Sequence, residues 1–463
     1  MTLWTSQEIA AAVGGKASAA FAVSGVAFDS REVGPGDLFV AMKGEATDGH
    51  AYVDTAFAAG AAGAIVSAPV AGPHVLAEDS FAALEALGRA SRERTSAAIV
   101  GVTGSVGKTG TKEALFHALA RVNPGGVHRS VKSYNNHVGV PLSLSRMPRD
   151  SMFGVFEMGM NHAGELADLT QLVRPDVAIV TAIAPAHIEF FASEEAIADA
   201  KGEIFQGLQP GGTAIIPFDS PHHDRLRRHA EPYAARILTF GLGKGADVRA
   251  IEAVQTDHGG TLVTATLPGA DVCFTIGAPG DHWVSNGLAV LAAVEALGGD
   301  LAAAGLALAE MPGLPGRGAR TTLEIDGRAA LLIDESYNAN PLSMAATLRS
   351  LGREKAVRRI AVLGAMKELG DRSAELHAGL ADPMEAAGVD YAILVGPDMA
   401  PLAQRLAGQV AFAHVADANS ARDLLLEQAR PGDAILVKGS NSVGLSRVVT
   451  AMAARALVAG ENV

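Results

Sequence analysis

A glycine-rich turn between an apolar strand and a helix constrains the fold of this chain more than any other stretch. The turn carries the run Thr103-Gly-Ser-Val-Gly-Lys-Thr109. Gly104 and Gly107 allow successive backbone N–H groups to point inward at an anion. Lys108 adds a positive charge for phosphate oxygens, and the Thr109 hydroxyl is placed to hold a magnesium ion. The pattern therefore predicts a nucleotide-binding loop in an α/β fold.

The turn departs from the strict phosphate-loop motif at one position. The full motif has a glycine where Val102 stands, and Gly101 comes one residue too early. Only the inner Gly-x-x-Gly-Lys-Thr part is intact. We therefore expect the nucleotide to contact the inner turn, which comprises Thr103, Gly104, Ser105, Val106, Gly107, Lys108, Thr109 and Gly110.

Composition limits the classes of protein to which the chain can belong. With 463 residues, 49% of them hydrophobic and 19% charged, it should fold into two to four domains with cores of their own. A net charge of −13 argues against a general nucleic-acid binder, which would show a basic face. The single cysteine, Cys273, leaves no disulfide framework and no cysteine metal site.

The chain shows no targeting or membrane signal. Its first residues lack the basic and apolar regions of a signal peptide. The uncharged stretch 55–77 contains three glycines and two prolines, which makes it a poor membrane helix. We therefore expect a cytoplasmic protein without membrane insertion.

Three α/β units are expected along the chain. Residues 1–95 predict a small unit of short strands and two to three helices. Residues 96–314 alternate strands and helices as in a doubly wound parallel sheet. The Pro/Gly-rich run Leu314-Pro-Gly-Arg-Gly-Ala-Arg320 indicates a linker into a third unit, 315–463. That unit is Rossmann-like in its alternation but lacks the Gly-x-Gly-x-x-Gly fingerprint.

Glu157 follows an apolar strand next to the one that precedes the glycine-rich turn. A carboxylate at the carboxyl end of a neighbouring parallel strand is placed to complete a magnesium site. The alternative is a glutamate that merely opens the next turn.

Lys201 lies on the apolar stripe of a helix that Ser193 is expected to cap. Ile197, Ile204 and Phe205 share that stripe. A bare ammonium there would be costly, because desolvation shifts the pKa of a buried lysine by ~3–5 units towards neutrality. Lys201 therefore extends out to water, pairs with an acid, or takes up CO₂ as a carbamate that could join His187 on a second metal ion.

Polar loops also occur in the first unit and in the third. From the residues alone, Ser30, Arg31, Lys43 and His50 are compatible with ordinary solvated turns. In the third unit, Asn340-Pro341 predicts a helix start directly after a strand end.

Several segments, in their order along the chain, resemble the Mur ligases of peptidoglycan synthesis. The resemblance spans nearly the whole chain, since Asp29-Ser-Arg31 and Asp48-Gly-His50 are similar to the N-terminal uridine-nucleotide domain of that family. The other segments are Thr103-Gly-Ser-Val-Gly-Lys-Thr109, Tyr134-Asn-Asn-His-Val-Gly-Val-Pro141, Glu157-Met-Gly159, Ala200-Lys-Gly-Glu-Ile-Phe205 and Asp334-Glu-Ser-Tyr-Asn-Ala-Asn-Pro341.

The resemblance implies an ATP-driven amide ligase with ATP and Mg²⁺ as cofactors. Two of the segments, those at Tyr134 and Asp334, most resemble the branch that joins D-Ala-D-Ala to a UDP-N-acetylmuramoyl-tripeptide. In that reaction ATP phosphorylates the tripeptide carboxylate, and the dipeptide amine attacks the acyl phosphate. Positioning and charge neutralisation of the phosphoryl group supply most of such catalysis.

The resemblance also assigns roles position by position. Lys108, Thr109 and Glu157 would hold the phosphates and one Mg²⁺, and His187 with carbamylated Lys201 would hold a second. The nucleotide site would include Asn136, His282, Asn286, Arg317, Asp334, Tyr337 and Asn338. The UDP moiety would contact Ser30, Arg31, Lys43, Asp48 and His50.

Three positions depart from the usual family pattern. Val106 stands where the family usually has asparagine, Gly110 where it has threonine, and Trp283 where it has asparagine. None of these changes removes a group that the chemistry requires. The alternatives are a sister ligase that adds the third peptide residue, folylpolyglutamate synthase, or a nucleotide-dependent switch. We expect a monomer with small-molecule substrates and no nucleic-acid partner.

Overall fold

The computed structural model describes residues 2–44, 47–185, 188–256, 260–278, 280, 282–311 and 313–454. His187, a predicted metal ligand, lies outside the described residues. Three successive α/β units follow one another along the chain, each built on a sheet of its own. The predicted α/β class is therefore confirmed, whereas the exact unit limits at residues 95 and 314 stay a prediction.

The first unit has a five-stranded sheet in the order β2-β7-β6-β5-β4, of which β4 to β7 are parallel. A separate two-stranded ribbon joins β1 to β3. The elements in chain order are β1 (Trp4–Thr5), α1 (Ser6–Val13), β2 (Lys16–Ala17), β3 (Ala22–Val23), β4 (Gly25–Ala27), β5 (Asp37–Val40), α2 (Val53–Ala58), β6 (Gly63–Val66), β7 (His74–Leu76) and α3 (Ser80–Glu93).

The central unit has a nine-stranded sheet in the order β16-β15-β14-β13-β12-β11-β8-β10-β9. Its strands are β8 (Ala98–Thr103), β9 (Val127–Arg129), β10 (Phe153–Glu157), β11 (Val177–Val180), β12 (Thr213–Pro217), β13 (Arg236–Gly241), β14 (Val248–Gln255), β15 (Thr261–Leu267) and β16 (Ala270–Ile276). Its helices are α4 (Lys108–Val122), α5 (Gly139–Ser145), α6 (Glu165–Val173), α7 (Glu194–Gly202), α8 (His223–Ala230), α9 (His282–Ala296) and α10 (Leu301–Glu310).

The central sheet is not wholly parallel. From β9 to β14 neighbouring strands run parallel, but β15 and β16 add an antiparallel meander to the edge. The all-parallel expectation is corrected at this edge. The short turn at Pro268-Gly269 joins β15 to β16 without a crossover helix, and such a short connection permits only antiparallel pairing.

Helices cover both faces of the central sheet. Val100 and Val102 of β8 pack into the core beneath α4 and α9, whereas Ile99 packs into the core on the opposite face. A strand buried on both faces reads as a continuous apolar run, as this one does. The phosphate loop therefore follows directly after a strand that is buried on both faces of the sheet.

The third unit has a six-stranded sheet in the order β17-β18-β22-β19-β20-β21, antiparallel only between β17 and β18. Its strands are β17 (Ala319–Ile325), β18 (Arg328–Glu335), β19 (Arg358–Gly364), β20 (Tyr391–Val395), β21 (Ala411–Val415) and β22 (Asp433–Lys438). Its helices are α11 (Pro341–Gly352), α12 (Ser373–Ala378), α13 (Ala381–Ala386), α14 (Ala400–Leu406), α15 (Ala418–Gln428) and α16 (Ser446–Ala453).

Two predicted helix starts are confirmed. The Ser193 hydroxyl accepts a hydrogen bond from Ala196 N at the start of α7. The Asn340 side chain accepts from Ser343 N in a capping box, with Pro341 as the first residue of α11. Within the described ranges, no helix is both long and apolar enough to span a bilayer.

Candidate active site

The phosphate loop curls back on itself between β8 and α4. Gly104 has φ +147° and Gly107 has φ +88°, values that L side chains rarely adopt. A Cβ on Gly104 would lie 2.0 Å from Thr181 Oγ1, and one on Gly107 would lie 2.6 Å from Asn286 Oδ1. Both glycines are therefore required by backbone conformation and by close neighbours.

The end of β11 holds the loop from one side. Ser105 N donates to Ala182 O at 2.7 Å, and Ser105 Oγ donates to Ala184 O at 3.0 Å. Thr181 Oγ1 is 3.1 Å from Thr103 O and within hydrogen-bond distance of Val106 O. The loop is thus preorganised by the neighbouring strand, which lowers the entropic cost of binding phosphates.

Lys108 begins α4 and directs its ammonium into the loop. Its Nζ donates to Gly104 O at 2.5 Å. Burial lowers the pKa of Lys108, while the Glu157 carboxylate opposes and the Arg317 charge adds to that decrease. An anion bound in the loop would favour the charged form of Lys108, and a charged ammonium is the form that binds phosphate oxygens.

Glu157 ends β10 directly beside the loop and is only 1% exposed. Thr109 Oγ1 donates to its Oε2 at 2.8 Å, and Asn135 Nδ2 donates to its Oε1 at 2.8 Å. The carboxylate therefore has a fixed orientation toward the first turn of α4.

The Thr109–Glu157 pair fits a magnesium ion. A hydroxyl and a carboxylate are the hard oxygen donors that Mg²⁺ prefers, and phosphate oxygens and waters usually complete its shell. No cluster of three or more histidine, cysteine or acidic side chains occurs among the residues that the structure describes. A magnesium ion at this site would therefore depend on the nucleotide for further ligands.

Lys201 is 1% exposed in the last turn of α7. It lines the same cavity as the phosphate-loop residue Lys108 and as Glu157. Within the described ranges, no acidic side chain pairs with it. Burial lowers its pKa well below the usual value, and the charge of Lys108 adds to that decrease. A neutral amine does not suit Mg²⁺, whereas a carbamate oxygen does.

The third unit contributes cationic and aromatic side chains to the site. Arg317 lies over the Tyr337 ring with its guanidinium carbon 4.4 Å from the ring centroid. Lys438 Nζ donates to Asn338 O at 2.8 Å and lies 3.5 Å from Glu335 Oε2. Burial lowers the pKa of Lys438, and Glu335 partly opposes the decrease.

One cavity of about 740 Å³ lies between the phosphate loop and the third unit. Most residues that the sequence proposes for the nucleotide site line it, from both sides of the domain junction, together with the proposed metal ligands Glu157 and Lys201. They are Ser105, Val106, Gly107, Lys108, Gly110, Glu157, Lys201, His282, Asn286, Arg317, Tyr337 and Asn338.

Five of the proposed nucleotide residues do not line the cavity: Gly104 and Thr109 of the phosphate loop, and Thr103, Asn136 and Asp334. Thr103 ends β8 with its hydroxyl buried and without a hydrogen-bond partner in the described part of the chain. Asn136 Oδ1 accepts from Gly139 N at 2.9 Å at the start of α5. Asp334 accepts from Gly316 N at 2.7 Å and from the Ser336 hydroxyl at 2.6 Å, which fixes the turn that presents Arg317.

The structure adds site residues that sequence reasoning missed. Asn135, rather than its neighbour Asn136, contacts Glu157. Lys438 and Glu335 end the adjacent strands β22 and β18, where ligands of open α/β sheets bind. The position at a strand end is the signal in the sequence: it predicts a ligand site at Lys438-Gly-Ser440, but it was not used for Glu335.

Trp283 occupies the cavity wall beside the phosphate loop. It is 3% exposed, and its Nε1 has no hydrogen-bond partner among the described residues. Its Cη2 would lie 3.0 Å from a Cβ on Gly110. The absence of a side chain at residue 110 therefore makes room for the indole.

The proposed uridine-binding residues lie in two loops at the carboxyl edge of the first sheet. Ser30 and Arg31 follow β4, where the Arg31 guanidinium pairs with Asp29 at 2.6 Å. This partner lowers the pKa of Asp29 to about 2. The Arg31 side chain is 87% exposed and so remains accessible to an anionic ligand.

The second loop follows β5. The backbones of Lys43 and Asp48 form an isolated antiparallel β-bridge. The Asp48 Oδ1 atom lies 2.7 Å from His50 Nδ1. Ser67 N donates to His50 Nε2 at 2.9 Å, so the neutral ring carries its proton on Nδ1. Since β4, β5 and β6 are parallel neighbours, both loops and Ser67 share one edge of the sheet.

Family models match three consecutive parts of the chain. The model described as "Mur ligase family, catalytic domain" matches residues 22–92. "Mur ligase middle domain" matches residues 102–294, and "Mur ligase, glutamate ligase domain" matches residues 321–441.

Individual proteins are similar over almost the full length. The UDP-N-acetylmuramoyl-tripeptide--D-alanyl-D-alanine ligase of Synechocystis sp. is 35% identical over 442 residues, which cover 93% of this chain and 92% of the relative. A crystal structure of MurF from Acinetobacter baumannii superposes with a TM-score of 0.84 at 28% identity, covering 97% and 99% of the two chains. MurF from Thermotoga maritima in complex with ADP gives 0.77 at 29%, covering 94% and 98%.

Proposed function

The chain belongs to the Mur ligase family, and we propose that it joins D-alanyl-D-alanine to a UDP-N-acetylmuramoyl-tripeptide in peptidoglycan synthesis. Relatives that are 31–35% identical over most of the chain are UDP-N-acetylmuramoyl-tripeptide--D-alanyl-D-alanine ligases, which supports this choice of substrates. The single observation that carries the ligase chemistry is the cavity shared by the phosphate loop and the third unit.

The reaction is an ATP-dependent amide synthesis. The tripeptide carboxylate attacks the γ-phosphorus of ATP, so that ADP leaves and an acyl phosphate forms. The dipeptide amine then attacks the acyl carbon, loses a proton, and displaces inorganic phosphate. The similarity to a MurF that binds ADP supports ATP as the phosphoryl donor.

The phosphate loop provides the binding and charge neutralisation for the first step. Its N–H groups and Lys108 would bind the phosphates, and a buried site makes each such interaction stronger than in water. Thr109 and Glu157 would hold a magnesium ion, which supplies neutralisation of the charge that develops on the transferred group. Asn135 keeps the Glu157 carboxylate turned toward that position.

A second metal position would depend on Lys201. Burial lowers the pKa of its amine, and the neutral amine can attack CO₂ to form an N–C bond with loss of one proton. The resulting carbamate would supply the oxygen ligand that the amine lacks, and His187 is the partner that the sequence proposes.

The third unit would present the acceptor and close the nucleotide site. Arg317 and Lys438 approach the cavity from the side opposite the phosphate loop. His282, Asn286, Tyr337 and Asn338 complete the proposed nucleotide contacts, and the first unit would bind the UDP moiety through Ser30, Arg31, Lys43, Asp48 and His50. We further propose a cytoplasmic location, because the reaction consumes ATP and a nucleotide-linked precursor. A monomer stays the expectation from the sequence.

The test is phosphate release from ATP and Mg²⁺ with UDP-N-acetylmuramoyl-tripeptide, in the presence and absence of D-Ala-D-Ala. We expect release that requires both substrates, together with a product heavier by the dipeptide in mass spectrometry. Release that is indifferent to D-Ala-D-Ala would overturn the assignment. Activity with a UDP-N-acetylmuramoyl-dipeptide and a single diamino acid would instead indicate the sister ligase that adds the third residue.

A further inference from the structure

Lys112 is a buried lysine to which the proposed mechanism assigns no role. It lies in the second turn of α4 and is 0% exposed. Its Nζ donates to Ser130 O at 2.8 Å and to Lys132 O at 3.1 Å, and it pairs with Glu113 Oε1 at 2.9 Å. An ammonium has three donors, and all three have a partner here. Lys112 therefore fastens the chain around residues 130–132 to the phosphate-loop helix.

Residues 130–135, which we term the junction segment, contact Glu157 at both of their ends. Glu157 N donates to Ser130 Oγ at 3.3 Å, and Asn135 Nδ2 donates to Glu157 Oε1 at 2.8 Å. In addition, Gly159 N donates to Asn135 O at 2.7 Å. The junction segment thus determines where the Glu157 carboxylate lies relative to Thr109.

The same segment also contacts the first and third units. Tyr134 Oη donates to the Glu32 carboxylate at 2.8 Å, and Lys132 Nζ forms an ion pair with Glu32. On the other side, Arg317 Nη2 donates weakly to Ser133 Oγ at 3.4 Å. All three units therefore converge on a segment that Lys112 anchors from within the core.

The backbone of the segment needs such an anchor. Lys132 has φ +55°, a left-handed conformation that non-glycine residues adopt at an energetic cost. The carbonyl of this strained residue is one of the two that accept from Lys112 Nζ. Without the ammonium, two carbonyl groups would lose a buried donor and the strained turn would lose its support.

We propose that Lys112 is a positioning residue for the metal-nucleotide site. It holds the junction segment so that Ser130 and Asn135 orient Glu157, although Lys112 itself contacts neither phosphate nor metal. This inference rests on the proposed use of a magnesium nucleotide. It concerns nucleotide binding, and its test needs neither the tripeptide nor the dipeptide.

The test measures ADP binding by isothermal titration calorimetry, once with excess Mg²⁺ and once with EDTA. We call the dissociation constant in EDTA divided by the dissociation constant in excess Mg²⁺ the magnesium increment. In Lys112→Met, whose side chain is apolar and of similar length, we expect the increment to fall about tenfold, equivalent to ~1.4 kcal/mol. ADP affinity in EDTA should stay unchanged, since the phosphate loop itself is intact.

Arg92→Met is the matched control. Arg92 is also a buried cation, 8% exposed, and donates to two backbone carbonyls, Val173 O at 2.8 Å and Arg174 O at 2.9 Å. It lies on α3, away from the junction segment. We expect this variant to melt at a lower temperature and to keep the wild-type magnesium increment.

A folded Lys112→Met chain with the wild-type increment overturns the inference. If that variant does not fold, Ser130→Ala replaces it, because this change removes only the acceptor for Glu157 N. A wild-type increment in Ser130→Ala would then overturn the inference as well. A wild-type chain that binds ADP with Mg²⁺ but fails to ligate would overturn the proposed function alone.

Discussion

Thr109 Oγ1 donates to Glu157 Oε2 across 2.8 Å and so joins the first turn of the phosphate-loop helix to the end of the adjacent strand. The residues are 48 positions apart in the chain and are brought together by the parallel pairing of β8 with β10. A hydroxyl and a carboxylate in contact fit the proposed magnesium site, whose remaining ligands would come from the nucleotide and from water.

Replacing Glu157 with Gln should abolish most activity without unfolding the chain. The amide oxygen can still accept from Thr109, but the negative charge that binds Mg²⁺ is lost. We expect kcat to fall about 10²–10³-fold and half-saturating Mg²⁺ to rise. Glu85→Gln, which removes an exposed carboxylate paired with Arg89, should leave both quantities unchanged. A Glu157→Gln enzyme with wild-type Mg²⁺ dependence would contradict the assignment.

Lys201 should carry a carbamate in the active enzyme. Its lowered pKa leaves the amine neutral more often near physiological pH, and only the neutral amine reacts with CO₂. Incubation with ¹³C-bicarbonate should give a carbamate carbon signal in NMR that is absent in Lys201→Met. Removal of CO₂ should lower activity, and added bicarbonate should restore it. A signal of equal size in Lys201→Met would place the carbamate elsewhere.

Acid should destabilise the chain partly through His128. Burial lowers the pKa of His128 from 6.5 to about 4, and its Nε2–H donates to Ser143 O at 2.8 Å. In the unfolded chain the His128 imidazole therefore takes up a proton near pH 6.5, whereas in the folded chain it stays neutral until about pH 4. The free energy of unfolding should fall as pH drops through this window, by up to about 3 kcal/mol.

Denaturant titrations at pH 7 and pH 4.5 would measure this loss. His128→Gln keeps a side-chain donor for Ser143 O but cannot be protonated, so its stability should decline less between the two pH values. An equal decline in both proteins would show that other groups carry the pH dependence.

Gly110 and Trp283 should be energetically coupled. A Cβ at residue 110 would lie 3.0 Å from Trp283 Cη2, so Gly110→Ala should crowd the indole and cost about 1–3 kcal/mol. Trp283→Phe removes the outer ring, and in that background the same change should cost less, or even stabilise α4 through the higher helix propensity of alanine. A double-mutant cycle that shows additive effects would contradict the coupling.

The sequence predicted those parts of the site that depend on local pattern. The phosphate loop, Glu157 at a strand end and the buried position of Lys201 all follow from short-range spacing and periodicity. The sequence did not predict which of two adjacent amides, Asn135 or Asn136, contacts Glu157. Asn135 contacts Glu157, whereas Asn136 accepts from Gly139 N, and which amide meets the carboxylate depends on the path of the chain between β9 and α5.

Two further features could not be predicted for a similar reason. The short turn at Pro268-Gly269 makes β15 and β16 an antiparallel pair, but the place of this pair at the edge of the central sheet depends on its tertiary pairing with β14. The contact between Trp283 and Gly110 joins residues on different helices. Each residue departs from the usual family pattern, and only the packing of α4 against α9 shows that the two departures fit together.

The contact of Glu32 with Tyr134 and Lys132 limits how this enzyme can be re-engineered. Under the proposed assignment, the N-terminal unit would be the module to exchange if a different nucleotide-linked substrate is wanted. A transplanted unit without an acidic side chain at the position of Glu32 would leave Lys132 and Tyr134 without their partner, within the segment that contacts Glu157. A working chimera should therefore carry residues 130–135 across together with the N-terminal unit.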